Sequence, residues 1–124
     1  MIARRFISVD STGRGTFDIT PEVETFVEAS DISGGLCHIF VQHTSASLIV
    51  CENADPGVRE DLETFMLDIV TDGDHRFRHD QEGPDDMAAH IRSVITQTTI
   101  TVPIDAGKCA RHVAGDLLMG APHQ

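Results

Sequence analysis

Three histidines in separate segments of this 124-residue chain have the side chains best suited to chemistry. His43 ends an apolar run, His79 lies in the charged segment RHDQEG, and His90 falls on the inward side of a helical pattern. One inward histidine is usually a hydrogen-bonded core residue, but three from distant segments, surrounded by carboxylates, favour a metal site. Three imidazoles with one open position is a common zinc arrangement. The spacing matches neither HExxH nor a zinc finger, so the metal stays open.

Acidic residues are concentrated around these histidines. Of the 20 Asp and Glu residues, 12 lie between Glu52 and Asp86, against three arginines. Four of them follow a helical polar face and are interpreted as solvated: Glu60, Asp61, Glu63 and Asp68. Asp55 is explained equally well as a helix N-cap or as part of a site. The TSAS segment after His43 offers hydroxyl donors and room for an anion.

The composition limits the classes of partner. A net charge of -11 argues against nucleic acid and anionic membranes, which bind basic patches. Residues 33–51 carry no Asp, Glu, Lys or Arg, but the run is interrupted by histidine, glutamine and hydroxyl residues, so it predicts buried strands and no membrane span. The first residues show no apolar signal region, and three cysteines without CxxC spacing are expected to stay reduced. We therefore expect a cytoplasmic protein.

The strands and helices expected to position these side chains indicate a single α+β domain over residues 1–124. Strands are expected at Phe6–Asp10 and Thr16–Ile19, as a hairpin around Gly13-Arg14-Gly15. Further strands are expected at Leu36–Val41, apolar on both faces, at Leu48–Cys51, and at Thr98–Val102, which Pro103 would end.

Three helices are predicted between these strands. The first begins with Thr20 as N-cap and Pro21. The second begins at Asp55-Pro56 and runs to about Val70, with an apolar stripe of Val58, Leu62, Phe65, Met66 and Ile69. The third opens at Asp85 or Asp86, and its buried side is expected to carry Met87, Ile91 and Val94.

Two long segments carry a resemblance to a known family. They are HTSASLIVCENADPGVREDL (His43–Leu62) and RHDQEGPDDMAAHI (Arg78–Ile91), supported by STGRGTFDIT and TITVP. Over about residues 6–105 the chain resembles the YjbQ family, whose members are often called secondary thiamine-phosphate synthases. The resemblance implies a β-sandwich with two or three helices that assembles as a homotrimer. It also implies a site of histidines and acids near the subunit interfaces, at His43, Glu52, Asn53, Asp55, His79, Asp80, Glu82, Asp85, Asp86 and His90.

The activity that the resemblance implies joins hydroxymethylpyrimidine diphosphate to thiazole phosphate and releases pyrophosphate. The corresponding hypothesis assigns a divalent metal, zinc or magnesium or manganese, to His43, His79 and His90. A phosphorylated substrate would meet Thr44, Ser45, Asn53 and Arg59. The catalytic residues would be Glu52, Asp55 and Asp80, orienting ligands or holding a second cation. Two alternatives stay open: a trimeric module that binds a metal or phosphometabolite without turnover, and a metal-dependent hydrolase.

The end of the chain departs from the family pattern. Similar proteins close with a strand reading like GTWQGIYL, whereas Arg111–Gln124 reads RHVAGDLLMGAPHQ, without tryptophan or tyrosine and without strand-like alternation. Codons for this segment exist that give GTWQGIYLWEHRT when read one base later. The sequence therefore predicts a frameshift near Ala110–Arg111, and residues 111–124 are expected to lack the family's core strand.

Overall fold

The described part of the chain forms three helices and two antiparallel sheets. The computed structural model describes residues 1–10, 13–52, 54–109 and the backbone of 116–121. In one sheet the strand order is β1-β6-β3, and in the other it is β2-β4-β5. The α+β class is confirmed. The elements in chain order are β1 (Gly15–Asp18), α1 (Thr20–Ala29), β2 (Gly34–Phe40), β3 (Ser47–Cys51), α2 (Pro56–Ile69), α3 (Asp86–Ile95), β4 (Thr99–Asp105), β5 (Lys108–Cys109) and β6 (Asp116–Ala121).

The core collects apolar side chains from both sheets around α1. Val23 and Val27 are the buried residues of this helix that enter it, and Val27 is 1% exposed. The strands contribute Cys37, Leu48, Ile100, Ile104 and Cys109. None of the three cysteines forms a disulfide, and burial raises the pKa of the Cys37 thiol. A core of this kind holds the two sheets together without a disulfide.

The helix starts follow the capping residues closely. Asp55 is the N-cap of α2 and accepts a hydrogen bond from the Gly57 N–H at 2.9 Å, with proline in the first turn, as predicted. At α1 the helix already includes Thr20, whose N–H donates to Asp18 Oδ1 at 2.9 Å. Thr20 is therefore not the cap, because the aspartate two residues earlier accepts from its backbone.

Two strand predictions were wrong. Residues 1–10 contain no strand, and β1 pairs with β6 instead of with Phe6–Asp10. Pro103 does not end its strand, since β4 continues to Asp105 with Pro103 opposite Leu36. On its other side β4 is paired by β5 only at Ile104 and Asp105. Proline is tolerated there because no described strand needs its missing N–H on that side.

The chain end supplies a central strand, contrary to the expectation that it would lack one. β6 lies between β1 and β3, with Met119 opposite both Phe17 and Leu48. Alternation reflects whether one face of a strand is buried and does not depend on its neighbours in the sheet, so its absence from residues 111–124 did not exclude a strand. Residues 110–115 and 122–124 lie outside the described residues, and the reading-frame hypothesis, which concerns the DNA, stays a prediction.

Several apolar side chains predicted to be buried are exposed in the single chain. On β2, Leu36 is 71% and Phe40 is 60% exposed, so this strand is covered on one face only. On α3, Val94 is 81% exposed, and the buried positions are instead small or polar, including Ala88, Ala89 and Ser93. Met87 and Ile91 are half-buried, so the predicted buried side of α3 was wrong at Val94 and left out these buried positions.

The helix α2 packs more loosely than its apolar stripe predicted. None of its residues is buried, and Phe65 and Ile69 are exposed. It is the longest described helix, with 14 residues. Among the described residues, no helix combines the length and the apolar character that crossing a bilayer requires.

Candidate metal centre

Hydrogen bonds from α3 to the segment before β3 fix the helix that carries His90. The Ser93 hydroxyl donates to the Ala46 carbonyl at 3.2 Å, and the Thr96 hydroxyl lies 2.6 Å from Ser47 Oγ. His90 Nδ1 lies 3.0 Å from the Thr44 carbonyl oxygen. The TSAS segment predicted to hold an anion is thus largely occupied in docking α3.

The loop between α2 and α3 brings His79 to the same helix. The Gly73 N–H donates to the Pro84 carbonyl at 2.6 Å and closes the loop near its base. Gly73 has φ of 68°, a conformation that other residues rarely adopt. Within the loop, Arg76 holds the pKa of Asp74 well below its usual range through side-chain and backbone hydrogen bonds. The loop backbone is therefore held in a closed shape that presents His79 to α3.

Four side chains meet where this loop contacts α3. His79, Glu82, Asp86 and His90 each offer one ligand atom, and these atoms all lie within 4.8 Å of one another. His79 Nε2 is 2.7 Å from Asp86 Oδ2 and 3.1 Å from Glu82 Oε2. His90 Nε2 is 3.0 Å from the same Asp86 oxygen. We call these four residues the His79–His90 cluster.

The tautomer of His90 follows from its backbone contact. The Thr44 carbonyl can only accept, so His90 Nδ1 carries the hydrogen, and in the neutral ring Nε2 keeps a lone pair. That lone pair faces Asp86 Oδ2, which is also an acceptor. Two acceptors this close require a proton or a cation to be shared between them. Histidine ligands in metal sites are commonly oriented by such an Nδ1–H bond to a carbonyl.

The electrostatics of the cluster favour a cation in its interior. Hydrogen bonding to Asp86, helped by Glu82, raises the pKa of His79. Hydrogen bonding to His79 lowers the pKa of Asp86, although desolvation of its carboxylate acts in the opposite direction. Asp86 is buried, whereas His79 and Glu82 are exposed. The cluster can therefore hold positive charge and remains open to solvent on one side.

The structure brings together two of the three histidines predicted as ligands. His79 and His90 have ring centroids 5.5 Å apart. His43 is not a member of the cluster within the described part of one chain. Its Nδ1 accepts from the Ser45 N–H at 2.8 Å, and Ser45 Oγ lies 3.3 Å from His90 Nδ1. Where three imidazoles were expected, the geometry gives two imidazoles and two carboxylates.

The other predicted site residues lie outside the cluster. Glu52 and Asp80 are exposed and are not members of it, and the Asp55 carboxylate caps α2. Arg59 donates through Nε to Thr16 Oγ1 at 2.8 Å and through Nη2 to the Thr16 carbonyl, so it ties α2 to β1. Thr44 contacts His90 through its carbonyl oxygen. Asn53 lies outside the described residues.

The ligand assignment from the sequence missed Glu82 and Asp86, which belonged only to the wider set implied by the resemblance. Asp86 and His90 are four residues apart on one helix, a spacing that places both side chains on the same face. Applied to DMAAH, this rule would have paired them. Glu82, by contrast, reaches the cluster through the loop conformation, which no periodicity indicates.

Comparison with known proteins places this architecture in a family. Residues 5–117 match the model of the family described as UPF0047 protein YjbQ-like. The chain belongs to the YjbQ family. A UPF0047 protein of Synechocystis sp. is 41% identical over 105 residues, covering 85% of this chain and 71% of that relative. YjbQ of Escherichia coli O157:H7 is 37% identical over 106 residues, covering 85% of this chain and 76% of that protein.

Solved structures of YjbQ-like proteins share the fold. A YjbQ/UPF0047 family protein from Clostridium acetobutylicum superimposes with a TM-score of 0.82 at 24% identity, covering 95% of this chain and 88% of that chain. A conserved hypothetical protein from Thermus thermophilus gives a TM-score of 0.79 at 26% identity, covering 90% of this chain and 83% of that chain. The expected YjbQ-like architecture is confirmed at the level of the fold.

Proposed function

We propose that this YjbQ-family protein is a cytoplasmic, homotrimeric, metal-assisted transferase of the thiamine-phosphate synthase type. It would join hydroxymethylpyrimidine diphosphate to thiazole phosphate and release pyrophosphate. The observation that carries the proposal is the His79–His90 cluster, whose four ligand atoms converge on one point. The identity of the substrates rests on the resemblance to the family.

The donor set fits a borderline divalent ion. Two imidazole nitrogens and two carboxylate oxygens suit Zn²⁺ or Mn²⁺ better than Mg²⁺, which prefers oxygen ligands and retained waters. A bound ion would supply neutralising charge to the diphosphate leaving group. In this proposal Asp86 supplies one of the two carboxylate oxygens, and the Thr44 carbonyl holds His90 so that Nε2 faces the ion.

The reaction requires an anion to leave and a new bond to form beside the cluster. The bond between the pyrimidine methylene carbon and the diphosphate oxygen breaks, and its electron pair leaves with pyrophosphate. The thiazole nitrogen donates its lone pair to the same carbon. Thr44, which was predicted to bind substrate, is exposed and contacts His90 through its carbonyl oxygen, so a phosphate would meet it there. The chain itself contributes orientation and charge.

The trimer is supported by apolar surface that a single chain leaves uncovered. Leu36 and Phe40 project from the same face of β2, and their partners on β4 on that face are Pro103 and Thr99. Val94 is exposed on α3. Exposed apolar faces of this kind in a small protein mark contact surfaces. We expect Phe40→Lys to reduce the mass measured by light scattering to that of a monomer, whereas Glu28→Lys, on the exposed side of α1, leaves it unchanged.

The activity is tested by supplying both precursors with Zn²⁺ or Mn²⁺ and measuring pyrophosphate. Release that depends on both precursors is the expected result. Release from hydroxymethylpyrimidine diphosphate alone would indicate the hydrolase, and precursor binding without release would indicate the binding module.

The metal is tested by elemental analysis of variants. His79→Ala is expected to lose bound metal because it removes one of the four ligand atoms. His75→Ala is the matched control, since His75 is 95% exposed and is not a member of the cluster. Equal metal content in both variants would contradict the assignment of the cluster.

A further inference from the structure

A cavity on the opposite side of α3 from the His79–His90 cluster is lined by arginine, hydroxyl and apolar side chains. It has a volume of about 150 Å³. Its polar lining residues are Arg14, Thr16, Ser47, Glu63, Arg92 and Thr96. Its apolar wall includes Ile49, Leu62 and Met66. A ligand seated here would therefore meet charged groups, hydroxyl groups and hydrocarbon.

Arg92 has hydrogen-bonding capacity that the described residues do not use. It is 3% exposed, and Nη2 donates to the Val70 carbonyl at 2.7 Å and to Asp72 Oδ1 at 2.8 Å. Neither Nε nor Nη1 has a hydrogen-bond partner within the described part of the chain, and both are buried. Buried guanidinium donors are normally paired, because an unpaired donor loses its hydration without compensation. Donors left free beside a cavity indicate a place for an acceptor.

The surrounding charges favour an anion in this cavity. Arg14 pairs with Glu63 at 2.9 Å and with Asp72 at 2.5 Å, and Asp72 is shared with Arg92. Arg59 joins the same network through Thr16, which lines the cavity. Glu63 lines the cavity together with Arg14 and Arg92, so its charged lining carries one positive charge in excess, in a chain whose net charge is -11.

Backbone register shows where the cavity is open towards the sheet. Gly120 of β6 lies directly opposite Thr16 on one side and Ser47 on the other. Paired residues of adjacent strands face the same side of a sheet, and both partners line the cavity. Because glycine adds no side chain, position 120 leaves space between two hydroxyl residues.

We propose that this cavity binds a carboxylate group, carried by a small ligand with a short apolar body and held by Arg92. Because Nε and Nη1 are covered in the ligand-free chain, the Arg92 side chain would turn to bring one of them to the carboxylate. The carboxylate would also accept from the Thr16 hydroxyl, whose oxygen already accepts from Arg59. The apolar body would lie against Ile49, Leu62 and Met66. The site is separate from the His79–His90 cluster and does not depend on the proposed transferase activity.

The experiment titrates the whole 124-residue chain with butyrate while observing arginine Nε–H resonances by NMR. The Arg92 signal is identified by its loss in Arg92→Lys, with Arg76→Lys as the exposed control. We expect a saturable shift of the Arg92 signal with butyrate and at least a tenfold weaker response to butyramide, the neutral analogue. No saturable shift at tens of millimolar, or an equal response to butyramide, would overturn the proposal.

A second pair of variants keeps the test independent of the folding of Arg92→Lys. In Gly120→Glu the introduced carboxylate should occupy the site, shift the Arg92 signal without ligand, and weaken butyrate binding at least tenfold. Gly120→Gln fills similar space without the charge and should leave the Arg92 signal at its ligand-free position. The same Arg92 signal in both variants would contradict a carboxylate site.

Discussion

Charged side chains are accommodated differently on the two sides of α3. On one side, Asp86 and His90 meet His79 and Glu82 in a cluster that opens to solvent. On the other, Arg92 is buried beside a cavity, with two nitrogens that have no hydrogen-bond partner among the described residues. Histidine can lose its proton and become a metal ligand, whereas arginine stays charged and can only donate. The first side is therefore suited to a cation and the second to an anion.

The two sides of α3 are also built from different parts of the fold. The cluster is assembled by α3, its preceding loop and the segment around Thr44. The Arg92 cavity instead lies against β1, β3 and the chain end in β6. A change in the tail should therefore affect the Arg92 side and leave the cluster intact.

The largest effect is expected from replacing residues 111–123 by the shifted sequence GTWQGIYLWEHRT. Large aromatic side chains in a core are worth roughly 3–5 kcal/mol each, so the free energy of unfolding should rise by about that amount. The shifted sequence also carries glutamate at position 120, opposite Thr16 and Ser47. Urea unfolding of both chains measures the difference, and metal affinity of the cluster should be the same in both.

The DNA provides a control for this prediction. Codons for Arg111–Gln124 that cannot yield the shifted peptide would remove the frameshift hypothesis. A stability unchanged by the replacement would show that β6 already packs as well as the family strand.

The next effect is expected on the cluster side, from Asp86→Asn. This change keeps the size of the side chain and removes the charge that contacts both Nε2 atoms. We expect metal affinity to fall on the order of 100-fold, the upper end of the range for an outer-shell partner, because Asp86 is itself one of the four ligand groups. Asp85→Asn alters the neighbouring carboxylate, which is outside the cluster, and should bind metal normally in a chelator competition. Equal affinities in the two variants would exclude Asp86 as a ligand.

A smaller effect on stability is expected on the other side, from Arg92→Gln. The Val70 carbonyl would lose its donor, while Asp72 would keep its contact with Arg14. The expected loss is about 1–3 kcal/mol of unfolding free energy, typical of a disrupted buried hydrogen bond. Chemical denaturation measures it, and the metal content of the purified variant should remain that of the original chain. A loss of metal would show that the two sides of α3 are coupled.

The sequence predicted the cluster side better than the Arg92 side for a physical reason. His79 and His90 lie 11 residues apart, in a loop and in the helix that follows it, and the N-cap of α2 at Asp55 depends on residues adjacent in sequence. Local capping chemistry of this kind can be inferred from spacing alone. The pairing of Arg92 with Val70 and Asp72 depends on how α3 packs against a distant loop, so no spacing indicated it.

Tertiary packing also explains the errors in predicted burial. The stripe containing Val94 has helical periodicity, yet the inner side of α3 carries alanines and Ser93 because close approach matters there more than apolar area. Leu36 and Phe40 were expected to be buried within one chain, but β2 is covered on one side only. Periodicity identified these residues as apolar faces and could not indicate whether the same chain or another copy covers them.

The two sides of α3 differ most clearly in their response to pH, although we expect these changes in stability and binding to be the smallest. The folded pKa of His79 is raised above 6.5, so protonation of His79 stabilises the metal-free fold below that pH, and this contribution disappears as the pH rises through the folded pKa. Asp86 has a lowered pKa, so its contribution is present above the ordinary carboxyl range and is lost only as the pH falls through its folded pKa. Between about pH 8 and pH 6 the metal-free fold should therefore become more stable.

Metal binding should weaken over the same interval by up to about tenfold per pH unit, because the metal must displace the His79 proton. Butyrate binding at Arg92 should not change, since arginine stays charged and the carboxylate stays ionised. Thermal unfolding without metal, metal competition and the NMR titration, each at pH 6, 7 and 8, measure the three responses. Parallel pH trends for metal and butyrate would contradict two separate sites.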